Sequence, residues 1–105
     1  MERKKYKLTF LPIFEDDLSE VVTYVSQTLQ NPRAAYQLVN DIEHAIQKRL
    51  AYPMIFPPIK SSKFRKYPYY RINVRNFSVY YVVINDVMEI RRLVYSKRNI
   101  DDLLN

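Results

Sequence analysis

The densest β-forming sequence of the chain lies between residues 67 and 98, where Val, Ile, Tyr and Phe dominate. These residue types fit the pleated, half-buried surface of a sheet. Two short polar breaks divide the stretch, one at Asn76 and one at Asn85-Asp86, and the second has the look of a two-residue hairpin loop. The pattern therefore predicts three consecutive antiparallel strands over residues 69–75, 77–84 and 87–95.

Alternation in the first of these strands predicts the character of the two faces of the sheet. Ile72 and Val74 alternate with three polar residues, Arg71, Asn73 and Arg75. Because successive side chains of a strand point to opposite faces, one face should be apolar. The opposite face should be basic and carry arginine, asparagine and tyrosine.

The last strand does not alternate cleanly. Ile90 is expected to face the core together with Leu93 or Val94. Arg91 and Arg92 are consecutive, so they cannot both face the core. Either one of them points outward or the strand is bulged at this point.

The first half of the chain begins with a short alternating run and then takes helical spacing. Residues 6–11 predict a strand that Pro12 ends, and Pro12 also suits the first turn of a helix. That helix is predicted over residues 13–29. Its apolar stripe recurs at steps of three and four residues: Phe14, Leu18, Val21 or Val22, Val25 and Leu29.

A second helix is predicted from Asn31-Pro32 to about Ala51, because Asn is a favoured cap and Pro a favoured first residue. Its stripe consists of Ala35, Leu38, Ile42, Ala45 or Ile46, and Leu50. The link between the helices is short, so they should form an antiparallel hairpin.

The remaining segments complete one domain over residues 1–105. Residues 52–62 contain three prolines and predict an ordered loop over an edge of the core, with Met54, Ile55, Phe56 and Ile59 as its apolar content. Residues 99–105 predict a short helix capped by Asn99. The predicted fold is α+β, in the order β-α-α-β-β-β: an N-terminal strand and an antiparallel helical hairpin packed on a mainly antiparallel twisted sheet.

Composition excludes several kinds of chemistry. The chain has no glycine, which excludes a phosphate-binding loop or a dinucleotide-binding turn, and it has no cysteine and one histidine, which leaves no credible zinc site. His44 is read as a solvated helix residue. The acids Glu15, Asp16, Asp17 and Glu20 are read as favourable charges at a helix start rather than as a catalytic pair. No cofactor is expected.

Features that the sequence lacks indicate the cellular compartment of the protein. No apolar run approaches the roughly 18 residues of a membrane helix. The basic start lacks a small-residue cleavage site, which argues against a signal peptide. The absence of cysteine fits a reducing cytoplasm, and a cytoplasmic protein is expected.

Charge is segregated along the chain, whose formal net charge is +6. Between Glu43 and Asp86 there are no carboxylates and eight cations: Lys48, Arg49, Lys60, Lys63, Arg65, Lys66, Arg71 and Arg75. This favours a polyanionic or acidic partner over a solvated basic surface, because aromatic residues are interleaved with the cations. The candidate target-binding or nucleic-acid-binding residues are Lys60, Lys63, Arg65, Lys66 and Tyr67.

Five segments, in their order and spacing, resemble the RelE/ParE superfamily of bacterial toxins from type II toxin–antitoxin systems. They are YKLTFLPIFEDDLSEVVTYV, NPRAA, the YP pair at Tyr52-Pro53, YRINVRNFSVYYVV and LVYSKRN, and they span nearly the whole chain. The resemblance implies a growth-inhibiting toxin, associated with plasmid stabilization and neutralised by a cognate antitoxin. It leaves two targets open, since some members cleave mRNA in the ribosomal A site and others poison DNA gyrase.

The resemblance also implies candidate catalytic residues. If the chain is an enzyme, it is a metal-independent, ribosome-dependent endoribonuclease, or mRNA interferase, with Tyr95 as acid or base. Arg71, Arg75, Lys97 and Arg98 would then supply positive charge at the phosphate. Tyr95 can equally be read as a residue that closes the core, and Arg71 as a structural one.

Two positions match the cleaving members poorly, because those members often carry arginine where this chain has Asn73 and Ser78. A small basic RNA- or DNA-binding module without toxic activity is the alternative outside the superfamily. The expected partners are an acidic antitoxin with an amphipathic segment that folds on contact, and either the ribosome with mRNA or DNA gyrase. The expected assembly is a hetero-oligomer with the antitoxin, and no membrane is involved.

Overall fold

The computed structural model describes residues 5–60, 65–98 and 103–104. The predicted order β-α-α-β-β-β is confirmed, and the observed strand ends lie within one residue of the predicted ones. The elements are β1 (Lys7–Phe10), α1 (Pro12–Thr23), a π-helical turn (Tyr24–Thr28), α2 (Pro32–Leu50), β2 (Tyr70–Val74), β3 (Phe77–Ile84) and β4 (Val87–Tyr95). No helix in this described part is long and apolar enough to cross a membrane.

The four strands form one mixed sheet in the order β1-β4-β3-β2. Strands β2, β3 and β4 pair antiparallel as predicted, whereas β1 pairs parallel to β4, with Lys7 opposite Val87 and Phe10 opposite Ile90. A parallel pair needs a long crossover connection, and here the helical hairpin and the two hairpin-linked strands provide it. The N-terminal strand therefore becomes one edge of the sheet and β2 the other.

The helical hairpin covers one face of the sheet and forms the main core. Phe14, Leu38 and Ile42 pack there against Val79 and Met88, all of them at most 4 % exposed. The start of α2 is as predicted, since the Asn31 side chain accepts a hydrogen bond from the Ala34 amide at 3.0 Å. Of the alternatives left open, Ile46 rather than Ala45 and Leu93 rather than Val94 lie in this core.

The predicted placement of Leu29 in the apolar stripe is wrong. Its side chain is 55 % exposed. The first helix changes from α to π winding at Tyr24, and a π turn holds an extra residue. The added residue rotates the end of the helix, so that Leu29 leaves the stripe that Phe14 begins.

The irregularity expected in the last strand is a β-bulge at Arg91. Tyr80 lies opposite Arg92 while Tyr81 lies opposite Ile90, so Arg91 is the additional residue. The bulge restores the apolar register, because Ile90 and Leu93 can then both face the helices.

The prediction of an open basic face opposite the helices is only partly right, because Arg71 and Asn73 of β2 are exposed there but another part of the face is covered. A second apolar cluster lies there, in which Tyr69, Tyr80, Val82 and Val94 pack with Leu104, all at most 4 % exposed. Ile59 of the proline-rich loop, Tyr67, Leu103 and Leu104 pack on this face. The predicted C-terminal helix lies outside the described residues except for Leu103 and Leu104.

Candidate functional site

The two residues expected at the centre of a catalytic site, Arg71 and Tyr95, lie on opposite faces of the sheet. Arg71 is opposite Tyr80 and shares the face of the second cluster, while Tyr95 is opposite Phe77 and shares the face of the helices. They are also separated along the strands by three residue positions, or about 10 Å. The structure therefore does not bring them together.

Arg75 belongs to the turn between β2 and β3 rather than to a strand. It has a left-handed φ of 55° and its guanidinium binds Asp41 of α2, with Nε and one terminal nitrogen each 2.7 Å from Oδ2. Both partners are about half exposed. Its charge is thus turned toward the helical hairpin and is partly compensated there.

Tyr95 lies at the mouth of an apolar cleft of about 650 Å³ between the helical hairpin and the β2–β3 turn. Its ring is 43 % exposed and meets Phe77 edge to face, with centroids 6.0 Å apart. Tyr24, Val25 and Leu29 line the opposite wall. The surroundings of the tyrosine are therefore mainly apolar, although Glu20, Arg75 and Asn76 also line the cleft, and this favours packing over proton transfer.

Lys97 and Arg98 lie in the exposed turn that follows β4. The Arg98 amide donates to the Tyr95 carbonyl at 3.0 Å, and the Ser96 amide donates to the Asn76 carbonyl at 2.9 Å. This second bond joins the end of β4 to the β2–β3 turn. Lys97 and Arg98 therefore share one end of the sheet with Arg75 and Tyr95, but not with Arg71.

A neutral hydrogen-bonded cluster occupies the two positions at which cleaving members of the superfamily often carry arginine. The hydroxyl of Ser78 donates to the Asn73 side-chain oxygen at 2.9 Å and lies 3.0 Å from the Ser96 hydroxyl. Ser78 is 1 % exposed. The three side chains bind each other, and they bring no positive charge to this part of the surface.

The residues predicted to bind a target are placed in two different ways. Lys60 and Lys66 are exposed, and the Lys66 ammonium lies 5.5 Å from the centroid of the half-buried Tyr67 ring. Arg65 instead binds the Leu104 carbonyl at 2.6 Å and lies 5.3 Å from the Tyr69 ring centroid, so it holds the second cluster together. Lys63 lies outside the described residues.

Two features of the surface were missed by sequence reasoning. The first is the cleft beside Tyr95, which is lined in part by Tyr24 and Val25 of the π turn and by Leu29 at its end. The second is the loop of residues 52–56, in which Met54, Ile55 and Phe56 are exposed rather than packed on the core edge as predicted. The sequence showed that large apolar residues are concentrated in that loop, but it did not show that they are exposed.

Tyr81 connects this loop to the core. Its hydroxyl donates to the Pro53 carbonyl at 2.5 Å and accepts from the Arg49 guanidinium at 3.0 Å. Burial raises the pKa of the Tyr81 hydroxyl, and the hydrogen bond from Arg49 opposes that rise only in part. The hydroxyl therefore stays neutral and structural. Within the described residues, no three His, Cys, Asp or Glu side chains are grouped so that they could hold a metal ion.

Comparisons with known proteins agree with this fold. A family model described as "ParE toxin of type II toxin-antitoxin system, parDE" matches residues 8–100. No curated protein sequence matches the chain.

Solved structures show the same arrangement of elements. A chain of the chromosomal ParDE TA system from P. aeruginosa is similar with a TM-score of 0.70 and 18% identity, covering 90% of this chain and 99% of that one. The archaeal RelE-RelB complex from Pyrococcus horikoshii OT3 is similar with a TM-score of 0.55 and 21% identity, and the match covers 90% of this chain and 99% of that one. The E. coli DinJ-YafQ toxin-antitoxin complex is similar with a TM-score of 0.53 and 9% identity, and the match covers 87% of this chain and 92% of that one. At these identities the likeness shows a shared fold.

Proposed function

The chain belongs to the ParE toxin family of type II toxin–antitoxin systems, and from that premise we propose that it arrests growth by binding DNA gyrase rather than by cutting mRNA. It is a toxin that an antitoxin neutralises. Within the superfamily that it resembles, some members cleave mRNA on the ribosome and others poison gyrase without cutting nucleic acid. Gyrase acts on chromosomal DNA, so the proposed site of action is the cytoplasm.

The observation that carries the proposal is the neutral cluster of Asn73, Ser78 and Ser96. Cleavage of a phosphodiester develops negative charge at the phosphate, and enzymes stabilise that charge with positioned cations or hydrogen-bond donors. Here the side chains at the corresponding positions satisfy one another. A site of this kind offers a phosphate little stabilisation.

The separation of the other candidates supports the same conclusion. General acid or base catalysis needs a proton-transfer group within hydrogen-bond reach of the reacting atoms, with the charge-stabilising groups around it. The sheet lies between Arg71 and Tyr95, and Arg75 is bound to Asp41. Only Lys97 and Arg98 remain near Tyr95, on an exposed turn where salt screens their charge.

For the antitoxin, we propose an acidic amphipathic segment that fills the cleft beside Tyr95 with its apolar side. The cleft is lined mainly by apolar side chains, including Val25, Leu29 and Phe77. Lys97 and Arg98 lie in the exposed turn directly after Tyr95 and suit carboxylates at the edge of such a segment. The covered second face of the sheet makes that surface less suitable than the sequence indicated.

Two assays with purified protein test the choice of target. Programmed ribosomes are incubated with the wild-type chain and with Tyr95→Phe, and transcript ends are mapped. The same two proteins are added to gyrase in a supercoiling assay. We expect no cleavage by either protein and comparable inhibition of gyrase by both, since the Tyr95 hydroxyl has no proposed role.

The ribosome assay also defines the result that would contradict the proposal. A general acid or base is typically worth about 10²–10⁴-fold in rate. If the wild-type chain cuts mRNA and Tyr95→Phe cuts at least about a hundredfold more slowly, then the toxin is a ribonuclease with Tyr95 in its site.

A further inference from the structure

The loop of residues 52–56 exposes four large apolar side chains within five residues. Tyr52, Met54, Ile55 and Phe56 are 57 %, 53 %, 60 % and 56 % exposed. A single exposed apolar residue is ordinary on a soluble protein, but a contiguous group of them marks an interaction site. We call these four side chains the apolar loop.

Hydrogen bonds tie the backbone of the apolar loop to the core and to the end of α2. Pro53, which lies between these residues, is buried, and its carbonyl accepts a hydrogen bond from the Tyr81 hydroxyl. The Tyr52 amide donates to the Arg49 carbonyl at 3.0 Å, and the Ile55 amide donates to the Tyr52 carbonyl at 3.1 Å. A surface that is ordered before binding loses less entropy when a partner docks.

Positive charge lies beside these apolar side chains. The Arg49 guanidinium is 4.7 Å from the Phe56 ring centroid, and its terminal nitrogen also binds the Arg71 carbonyl at 3.3 Å. Lys48 is exposed at the end of the same helix. The chain has no carboxylate between Glu43 and Asp86, so this surface suits a partner that carries acidic groups around an apolar site.

The position of the apolar loop separates it from the cleft beside Tyr95. The cleft includes Ala34 and Leu38 near the start of α2, and the loop follows the end of that helix. A helix of 19 residues is about 28 Å long. None of the four side chains lines the cleft. They are exposed on a series of turns with hydrogen-bonded backbone, and an ordered apolar group of this kind fits a preformed pocket on a folded protein.

We propose that the apolar loop inserts into an acid-rimmed apolar pocket on the folded protein target, while the antitoxin occupies the cleft at the other end of α2. The proposal rests on the proposed function, because it assumes that the toxin acts by binding a protein. It implies that target binding and antitoxin binding depend on different side chains.

Two exposed sites with similar side chains make a matched test possible. The double variant Met54→Ser/Ile55→Ser removes apolar area from the loop but keeps Phe56, which packs on Arg49. Leu29→Ser removes a side chain of like exposure from the cleft, and Tyr36→Ser, at a residue that is 70 % exposed, is a control outside both. Thermal unfolding confirms that each variant is folded.

Three readouts are made on each protein: growth arrest at matched expression, affinity for purified gyrase, and affinity for the cognate antitoxin. We expect Met54→Ser/Ile55→Ser to bind gyrase about tenfold more weakly or worse and to lose growth arrest, with antitoxin affinity unchanged. We expect the reverse for Leu29→Ser and no change for Tyr36→Ser. Lys48→Glu should slow association with gyrase without unfolding the chain.

The outcomes separate failure of this proposal from failure of the proposed function. If the wild type arrests growth without binding gyrase, the choice of gyrase as the target is wrong. The loop proposal is then tested by growth arrest alone, as a comparison of the loop variant with the wild type. A folded loop variant that arrests growth like the wild type overturns the loop proposal. So does a loop variant that loses antitoxin affinity, since the loop would then belong to the antitoxin surface.

A membrane surface is the remaining occupant that the chemistry allows. Vesicles containing phosphatidylglycerol serve as the probe, with neutral phosphatidylcholine vesicles as the control. Binding of the wild type to the anionic vesicles, lost in Met54→Ser/Ile55→Ser, overturns the protein-docking proposal, and we expect no such binding. A wild-type chain that neither arrests growth nor binds gyrase overturns both proposals.

Discussion

At the scale of single residues, the hydroxyl of Tyr81 joins separate parts of the molecule. Its ring is fully buried and stacks on Tyr70, with centroids 5.4 Å apart, and its oxygen joins the Pro53 carbonyl to the Arg49 guanidinium. One atom therefore connects the sheet, the end of α2 and the loop after it. The sequence shows only a tyrosine in a β-forming run.

The change Tyr81→Phe is expected to destabilise the chain by about 1–3 kcal/mol, because a buried carbonyl loses its donor. For a domain of this size the midpoint of thermal unfolding should fall by roughly 4–8 °C per kcal/mol. Tyr80→Phe is the control, since the neighbouring Tyr80 is also buried and its hydroxyl makes no hydrogen bond within the described residues. Equal midpoints for the two variants would show that the Tyr81 hydroxyl contributes nothing.

The same hydroxyl predicts a dependence of stability on pH. Burial raises the pKa of Tyr81 in the folded chain above its usual value near 10. The unfolded state loses this proton near pH 10, before the folded state does. The stability that the Tyr81 hydroxyl contributes is therefore complete below about pH 10 and is lost as the pH rises through the higher pKa of the folded state.

Denaturant unfolding of the wild type and Tyr81→Phe, from about pH 9 to about pH 11, measures this effect. The stability advantage of the wild type should shrink across that range. The other tyrosines and the lysines are common to both proteins and cancel in the difference. An advantage that stays constant would contradict the prediction.

At the scale of elements, Asp17 joins α1 to β4 where β1 has ended. β1 pairs with β4 only as far as Ile90, and beyond it the Leu93 amide donates to the Asp17 carboxylate at 3.0 Å. The Arg92 guanidinium binds both oxygens of the same carboxylate, at 2.8 and 3.1 Å. This hydrogen bonding raises the pKa of Arg92. The helix thus satisfies a strand edge that would otherwise be unpaired.

Asp17→Asn is expected to lower the free energy of unfolding by about 1.5–3 kcal/mol, since it weakens hydrogen bonds to a charged and mostly buried partner. Asp16→Asn is the matched control on the same helix, because Asp16 is exposed. Chemical denaturation gives both values. A double-mutant cycle with Arg92→Gln isolates the pair, and a coupling energy near zero would mean that the ion pair adds no stability.

At the scale of the whole molecule, net charge and apolar anchors act together on a partner. The chain carries a formal net charge of +6, and the cleft beside Tyr95 is mainly apolar. Charge attracts an acidic antitoxin from a distance and is screened by salt, whereas apolar contacts are not.

We expect the affinity of the antitoxin to fall with added salt and then to level off at a measurable value. The Debye length shrinks from about 10 Å at 0.1 M to about 3 Å at 1 M, which removes the long-range attraction and leaves the apolar contacts. Calorimetric titration across this range is the measurement. Complete loss of binding at high salt would assign the affinity to charge alone, and no salt effect would remove charge from the interaction.

The sequence by itself determined the elements and their order. The Asn31-Pro32 start of α2 and the polar breaks after β2 and β3 appear in the structure where they were predicted. Capping, turn formation and apolar periodicity depend on residues a few positions apart, so these local rules suffice. The bulge at Arg91 was among the alternatives for the same reason.

Only the tertiary structure decided the parallel pairing of β1 with β4, the covering of the second face, and the separation of Arg71 from the other candidate catalytic residues. One signal of the covered face was present, since the β3 run from Ser78 to Ile84 is apolar at nearly every position, a pattern typical of a strand buried on both faces.

The pairing of the candidate Arg75 with a carboxylate had no such signal. Arg75 binds Asp41 across 34 residues of sequence. Arg92, which was not a candidate, binds Asp17 across 75 residues in the same way. Which carboxylate compensates which arginine depends on how the helices dock on the sheet. Docking is a property of packed surfaces, and local sequence patterns do not specify it.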